Sequence, residues 1–228
     1  MLQGMDTAMP WSNITPPRMF MNMRCLLFRF ILLLSLMIPL RLQAEELVVP
    51  APAAGPVEVG RGGVHLDEFG VTTGYAWGRL KRSYVTYEAL PLSIRVGFDV
   101  NSLLGIESRK GTVQLSLEPF LNKVIAPEQG MEAGLDVFAR YLYRVGPSVR
   151  LVAEIGSGPT YLSIDTREQG PDGFNFLNQF GAGTQVILAD NCALTLGYRF
   201  RHLSNAGLRA TNVGINTNML ALGVSFLY

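Results

Sequence analysis

Between Leu92 and Val100 apolar and polar residues take strict turns. Leu92, Ile94, Val96, Phe98 and Val100 fall on one side, and Ser93, Arg95, Gly97 and Asp99 on the other. A repeat of two belongs to a strand whose faces meet different surroundings. The pattern recurs along the chain. Val113, Leu115 and Leu117 alternate with Gln114, Ser116 and Glu118; Ala133, Leu135, Val137, Ala139, Tyr141 and Tyr143 alternate with polar positions that include Asp136, Arg140 and Arg144. Leu220, Leu222, Val224, Phe226 and Tyr228 alternate with Ala221, Gly223 and Ser225. About eight such segments fill the chain from residue 64 onward. Past the N-terminal region no apolar run approaches the roughly 20 residues that a membrane helix needs.

A soluble sandwich also alternates, so the pattern leaves two classes open. Three further features choose between them. The polar faces carry charges of both signs near mid-strand: Arg95, Asp99, Glu118, Asp136, Arg140, Arg144, Arg150, Glu154 and Arg199. Such charges pair inside a narrow barrel while the apolar faces look into lipid. Connections alternate in length: Val145–Ser148 and Ala189–Asn191 are tight, whereas Asn122–Gly130, Ser163–Gly173 and Asn205–Thr217 are long, with Asn101–Gly111 the exception. The chain also stops on an aromatic residue that ends an alternating strand, Val224-Ser225-Phe226-Leu227-Tyr228, which resembles the C-terminal signal of bacterial outer-membrane barrels. The prediction is an all-β fold, an eight-stranded antiparallel transmembrane β-barrel over residues 64–228. A barrel of that size has an interior just wide enough for side chains, so a diffusion pore is not expected.

The N-terminus has a different character. Arg24 and Arg29 precede the apolar run Phe30–Leu40, and Leu42-Gln43-Ala44 supplies a cleavage site. Residues 1–44 are expected to be a secretory signal peptide, with an over-long start before Met19 or Met23. Residues 45–63, rich in proline, glycine and alanine, are expected to be a flexible leader. A formal net charge of +1 gives no electrostatic case for nucleic acid. After removal of the signal, Cys192 remains as a lone cysteine, so no internal disulfide is possible, and its apolar strand face suits a small hydrophobe.

One segment breaks its own pattern. Cys192, Leu194, Leu196, Tyr198 and Phe200 make an apolar face, and the next two positions on that face are His202 and Ser204. Residues two apart in a strand point the same way, roughly 6.5–7 Å apart. An imidazole can span that gap, which would make His202 a general base to a Ser204 nucleophile. Asn205-Ala206-Gly207 follows as a turn whose N–H groups, with the Asn205 side chain, could receive an oxyanion. The bland alternative is a loop His and Ser facing water, since H-x-S is a common spacing. With both termini on the periplasmic side, strand parity brings this pair to the outer leaflet, on the lipid face.

The run His202-Leu203-Ser204-Asn205-Ala206-Gly207, followed by Asn212-Val213-Gly214-Ile215-Asn216 and a terminal strand, resembles the motif of the outer-membrane lipid A 3-O-deacylase (acyloxyacyl hydrolase) family. The motif covers about residues 200–216, and the eight-segment layout matches the family's barrel more loosely. The resemblance implies an esterase that removes the 3-linked hydroxyacyl chain from lipid A of lipopolysaccharide in the outer membrane, without metal or cofactor. Ser204 would be the nucleophile and His202 the base, with Asn205, Ala206 and Gly207 near the oxyanion. The family places an acidic residue 14 positions after the histidine; here that position is Asn216, which can orient an imidazole but cannot offset its charge. Two alternatives stay open: a non-catalytic small barrel, and an esterase directed at phospholipid. Self-association into a homodimer also stays open.

Other residues carry weaker signals. Arg209, in the loop beside the motif, is the candidate for binding substrate phosphate. Arg79, Lys81 and Arg82 form a short basic run that suits an anionic glycolipid as well as it suits solvent. Tyr75, Trp77, Tyr84 and Tyr87 are expected in an aromatic belt at the lipid boundary. Arg199 and Arg201 fall on the interior face as barrel-filling ion pairs. His65, with Asp67 and Glu68, has too few ligands for a metal and fits a solvated strand entrance.

Overall fold

The structure, a computed structural model, describes residues 63–228. The expected signal peptide and nearly all of the expected leader lie outside the described residues. Nine strand segments follow one another: β1 (His65–Arg79), β2 (Thr86–Leu90), β3 (Leu92–Asp99), β4 (Gly111–Ala126), β5 (Gly130–Arg144), β6 (Val149–Leu162), β7 (Gly173–Ala189), β8 (Cys192–Ser204) and β9 (Ile215–Leu227). β2 and β3 are two halves of one stave. Both pair with β1 on one side and β4 on the other, and they part only at Pro91, which has no N–H to give the ladder. Every other neighbour is antiparallel, and β9 returns to pair with β1 from Glu68↔Leu227 to Trp77↔Asn218. The result is a closed ring of eight staves with no free edge.

Side-chain parity runs as the alternation requires. Leu115, Leu117, Leu135, Val137, Tyr141, Leu151, Ile155, Phe180, Leu196, Leu220, Val224 and Phe226 stand exposed on the outer wall. So large an apolar exterior has no place in water and is the surface of a membrane barrel.

The interior is polar at mid-height. Arg95 pairs with Glu68, Glu118 and Glu154; Arg140 with Glu68 and Glu154; Arg199 with Glu118 and Glu154. The Arg199 guanidinium also lies 4.4 Å from the Phe138 ring centre. Toward the end away from the termini the lining turns apolar. Leu80, Val124, Leu162, Ile164, Leu177, Leu203, Ile215 and Met219 close it as a buried cluster. This loop end carries the connections 80–85, 127–129, 163–172 and 205–214. Among the described residues, charges fill the middle of the lumen and hydrocarbon its loop end.

Four expectations change. Glu68, expected beside His65 and Asp67 at a solvated strand entrance, points inward by parity and is fully buried between Arg95 and Arg140. The connection expected over Asn122–Gly130 shrinks to residues 127–129, because β4 runs on to Ala126 and pairs with β5 as far as Val124↔Gly130. Tyr87 is not in the lipid belt. It falls on the inward parity of its stave, is fully buried, and donates its hydroxyl to Glu132 at 2.7 Å. Tyr75 and Trp77 do face outward and stack with ring centres 5.8 Å apart. Asp99, Arg144 and Arg150 sit at the terminus end, away from the central ion pairs; Asp99 instead caps the Asn101 N–H at 2.7 Å.

Candidate active site

β8 brings the motif to the loop end. Its odd residues Arg199, Arg201 and Leu203 are buried inside the barrel, so Tyr198, Phe200, His202 and Ser204 occupy the outer face. His202 and Ser204 are both half-buried. His202 stands opposite Asn216 of β9 and Asn178 of β7. Its Nδ1 is 2.6 Å from Asn216 Oδ1. An amide oxygen accepts, so the ring donates from Nδ1, and its neutral form has the lone pair on Nε2. The partner is neutral; no carboxylate touches the imidazole among the described residues.

Gly214 packs on the ring itself. It has φ of 81°, and a Cβ placed there would stand 2.4 Å from His202 Cε1. Both the backbone and the imidazole therefore require glycine at this position.

Ser204 is the last residue of β8 and pairs with Phe176, whose ring meets Phe174 edge-on at 5.0 Å. The Phe180 and Phe200 rings lie 5.2 Å apart further down the same wall. Three amides, Asn178, Asn216 and Asn218, interrupt this outward apolar face around the histidine. Asn218 accepts from the Tyr198 hydroxyl at 2.6 Å, and Asn178 Oδ1 accepts from the Ser157 hydroxyl at 2.8 Å. Ser204 and His202 share no hydrogen bond among the described residues.

After Ser204 the chain enters a tight turn. Ala206 has φ of 52° and Gly207 of 79°, both left-handed. Asn205 is fully buried and braces the turn. Its Nδ2 donates to Thr211 O at 2.6 Å and its Oδ1 accepts from the Gly207 N–H at 3.0 Å. Its own N–H donates to Asn212 Oδ1 at 3.0 Å and Gln169 Oε1 at 3.1 Å. Arg209 turns away from the motif and spends its guanidinium on the carbonyls of Pro171, Asp172 (2.9 Å) and Phe174 (3.0 Å), tying down the 163–172 loop.

That loop supplies residues the sequence did not flag. Gln169, buried beneath the turn, bonds Asn205. Glu168, also fully buried, accepts from the Arg82 and Ser83 N–H groups at 2.8 and 3.0 Å. Burial raises the Glu168 carboxyl, but the hydrogen bonds from Ser83 and Arg82 outweigh it and hold the group below the ordinary carboxylate value. No local pattern marks this pair, since their partners lie more than 30 residues away along the chain. Asn178 was legible only as a polar residue on an apolar face.

Fold and site together define a small membrane β-barrel with an oriented histidine and a neighbouring serine on its outer wall. A sequence model described as Lipid A 3-O-deacylase (PagL) matches residues 90–225. The chain belongs to the lipid A 3-O-deacylase family. No curated protein sequence matches it. Among solved structures it is similar to the outer membrane enzyme PagL, at 18% identity and a TM-score of 0.50, covering 68% of this chain and 97% of that one. It is equally similar in fold to Neisserial surface protein A, at 14% identity and a TM-score of 0.50, covering 73% and 99%. Because one barrel shape serves both, the fold alone does not assign an activity.

Proposed function

We propose that this protein is a serine esterase of the bacterial outer membrane that removes the 3-O-linked acyl chain of lipid A in the outer leaflet. The observation that carries the reading is the hydrogen bond from His202 Nδ1 to Asn216 on the lipid-facing wall. It leaves Nε2 as the basic nitrogen, two residues from Ser204 on the same face. Membership of the deacylase family supplies the substrate class. The aromatic wall around Phe176, Phe180 and Phe200 suits acyl chains arriving sideways from the bilayer.

In the reaction Ser204 Oγ attacks the ester carbonyl while Nε2 takes the hydroxyl proton. The C–O bond to the sugar then breaks, and the imidazolium returns that proton to the departing sugar oxygen. Water attacks the acyl-serine with Nε2 as base, releasing the hydroxy fatty acid and restoring Ser204. The oxyanion needs N–H donors beside Ser204. The Asn205 amide and the Gly207 N–H are engaged within the turn, so the Ala206 N–H, which has no hydrogen-bond partner among the described residues, takes the leading part. With Arg209 bound to carbonyls, the exposed Arg79, Lys81 and Arg82 are better placed to meet lipid A phosphates.

The test is mass spectrometry of lipid A from cells expressing the protein. Wild type should yield lipid A lacking one hydroxyacyl chain; Ser204→Ala and His202→Ala should yield it intact. Equal deacylation by either variant excludes the reading. Intact lipid A with the wild-type barrel, beside hydrolysed phospholipid, would move the substrate to the phospholipid class.

A further inference from the structure

The loop that precedes β7 supplies no reacting group, yet two of its residues hold both halves of the site. Gln169 Oε1 accepts from the Asn205 N–H at 3.1 Å, and its Nε2 donates to Leu203 O at 3.5 Å. Its main-chain carbonyl accepts from Asn205 Nδ2 at 3.4 Å. Gln169 thus grips the residues on either side of Ser204. Next to it, the Glu168 carbonyl accepts from the Val213 N–H at 2.8 Å. Val213 leads directly into Gly214, whose Cα lies against the His202 ring. The Glu168 side chain reaches the opposite way, to the Arg82 and Ser83 amides and the Ser83 hydroxyl of the β1–β2 connection.

We infer that Glu168–Gln169 is the positioning element of the catalytic turn: Gln169 fixes the Ser204–Ala206 backbone, and the Glu168 main chain fixes Gly214 over the imidazole. The inference rests on the deacylase reading above. Two buried polar side chains at the mouth of a barrel are costly unless fully bonded; here the Gln169 side chain bonds both flanks of Ser204, and the Glu168 carboxylate anchors the loop to the β1–β2 connection. Neither side chain touches substrate. Their contribution is geometric, and misplacing reacting groups by about 1 Å costs on the order of 100-fold in rate.

The experiment measures fatty-acid release from lipid A by the whole protein in detergent micelles, with the folded fraction scored by the mobility of unheated samples on gels. Gln169→Met fills the same space without hydrogen bonds. It should lower kcat at least about tenfold with KM within about twofold. Gln169→Glu keeps the acceptor for the Asn205 N–H but loses the donor to Leu203 O, so it should recover part of that loss. Two results overturn the inference: a wild-type kcat in Gln169→Met, or a loss matched by an equal loss of folded protein. Ser204→Ala runs alongside; if it retains activity, the deacylase reading itself fails, whatever Gln169 does.

Discussion

At the residue scale the account turns on Asn216. A neutral amide fixes the tautomer of His202 but adds no charge to stabilise the imidazolium that forms as Ser204 attacks. Asn216→Ala should lower kcat by about 10- to 100-fold, a fraction of the roughly 10²–10⁴-fold that a positioned base supplies in all, with KM unchanged. Asn216→Asp retains an oxygen in the same place and brings the missing charge, so it should match or exceed wild type. Steady-state release of hydroxy fatty acid checks both. Equal rates in all three proteins would show that the 2.6 Å contact plays no part. Position 216 was marked by the resemblance to the deacylase motif, and the structure sets Asn216 Oδ1 2.6 Å from the ring. The packing of Gly214 on the ring was not legible, because it depends on how the loop returns.

At the scale of elements, the strands were legible and the loops were not. Alternation marks strands because each stave must satisfy lipid on one side and a packed lumen on the other. Strand ends carry no such demand, which is why β4 outruns its expected limit. Tyr87 was misplaced because an aromatic near a loop suits a lipid belt in composition, while parity sends it to Glu132. Loop-to-loop ties such as Glu168 with Arg82 and Ser83 join residues 85 and 86 positions apart. These ties carry a pH signature. The Glu168 pKa is lowered by folding, so its stabilising effect is complete above the ordinary carboxylate value, about 4.3, and fades as pH falls through the lowered folded value. Arg82 and Arg167 are the charged groups beside it. The Ser83 amide resonance in micelles should titrate with a midpoint below about 4.3, and Glu168→Gln should abolish the titration. A Ser83 shift that is flat with pH in the wild type would contradict the tie.

For the whole molecule, the decisive feature is a lumen filled with ion pairs. Charges of both signs on inward faces foretold it, but the partners were not legible, since Arg199 joins Glu118 and Glu154 from staves 81 and 45 residues away. Each pair is weak evidence of net stability, because desolvation offsets attraction; removing one member is different, because it strands buried charge. Arg199→Ala should destabilise the barrel by about 3–5 kcal/mol, read as a lower urea midpoint for loss of the folded gel band. An unchanged midpoint would mean that water already screens Glu118 and Glu154. The same network fills the lumen of the described residues and leaves the outer wall as the working surface.

That working surface is tested most directly by labelling with a lipid-like fluorophosphonate, which reacts only with an activated serine. Mass analysis of the treated barrel should find one adduct, on Ser204, and His202→Ala should remove it. A wild-type protein that remains unlabelled, or an adduct on Ser204 that survives loss of His202, would contradict a base-activated nucleophile facing the membrane.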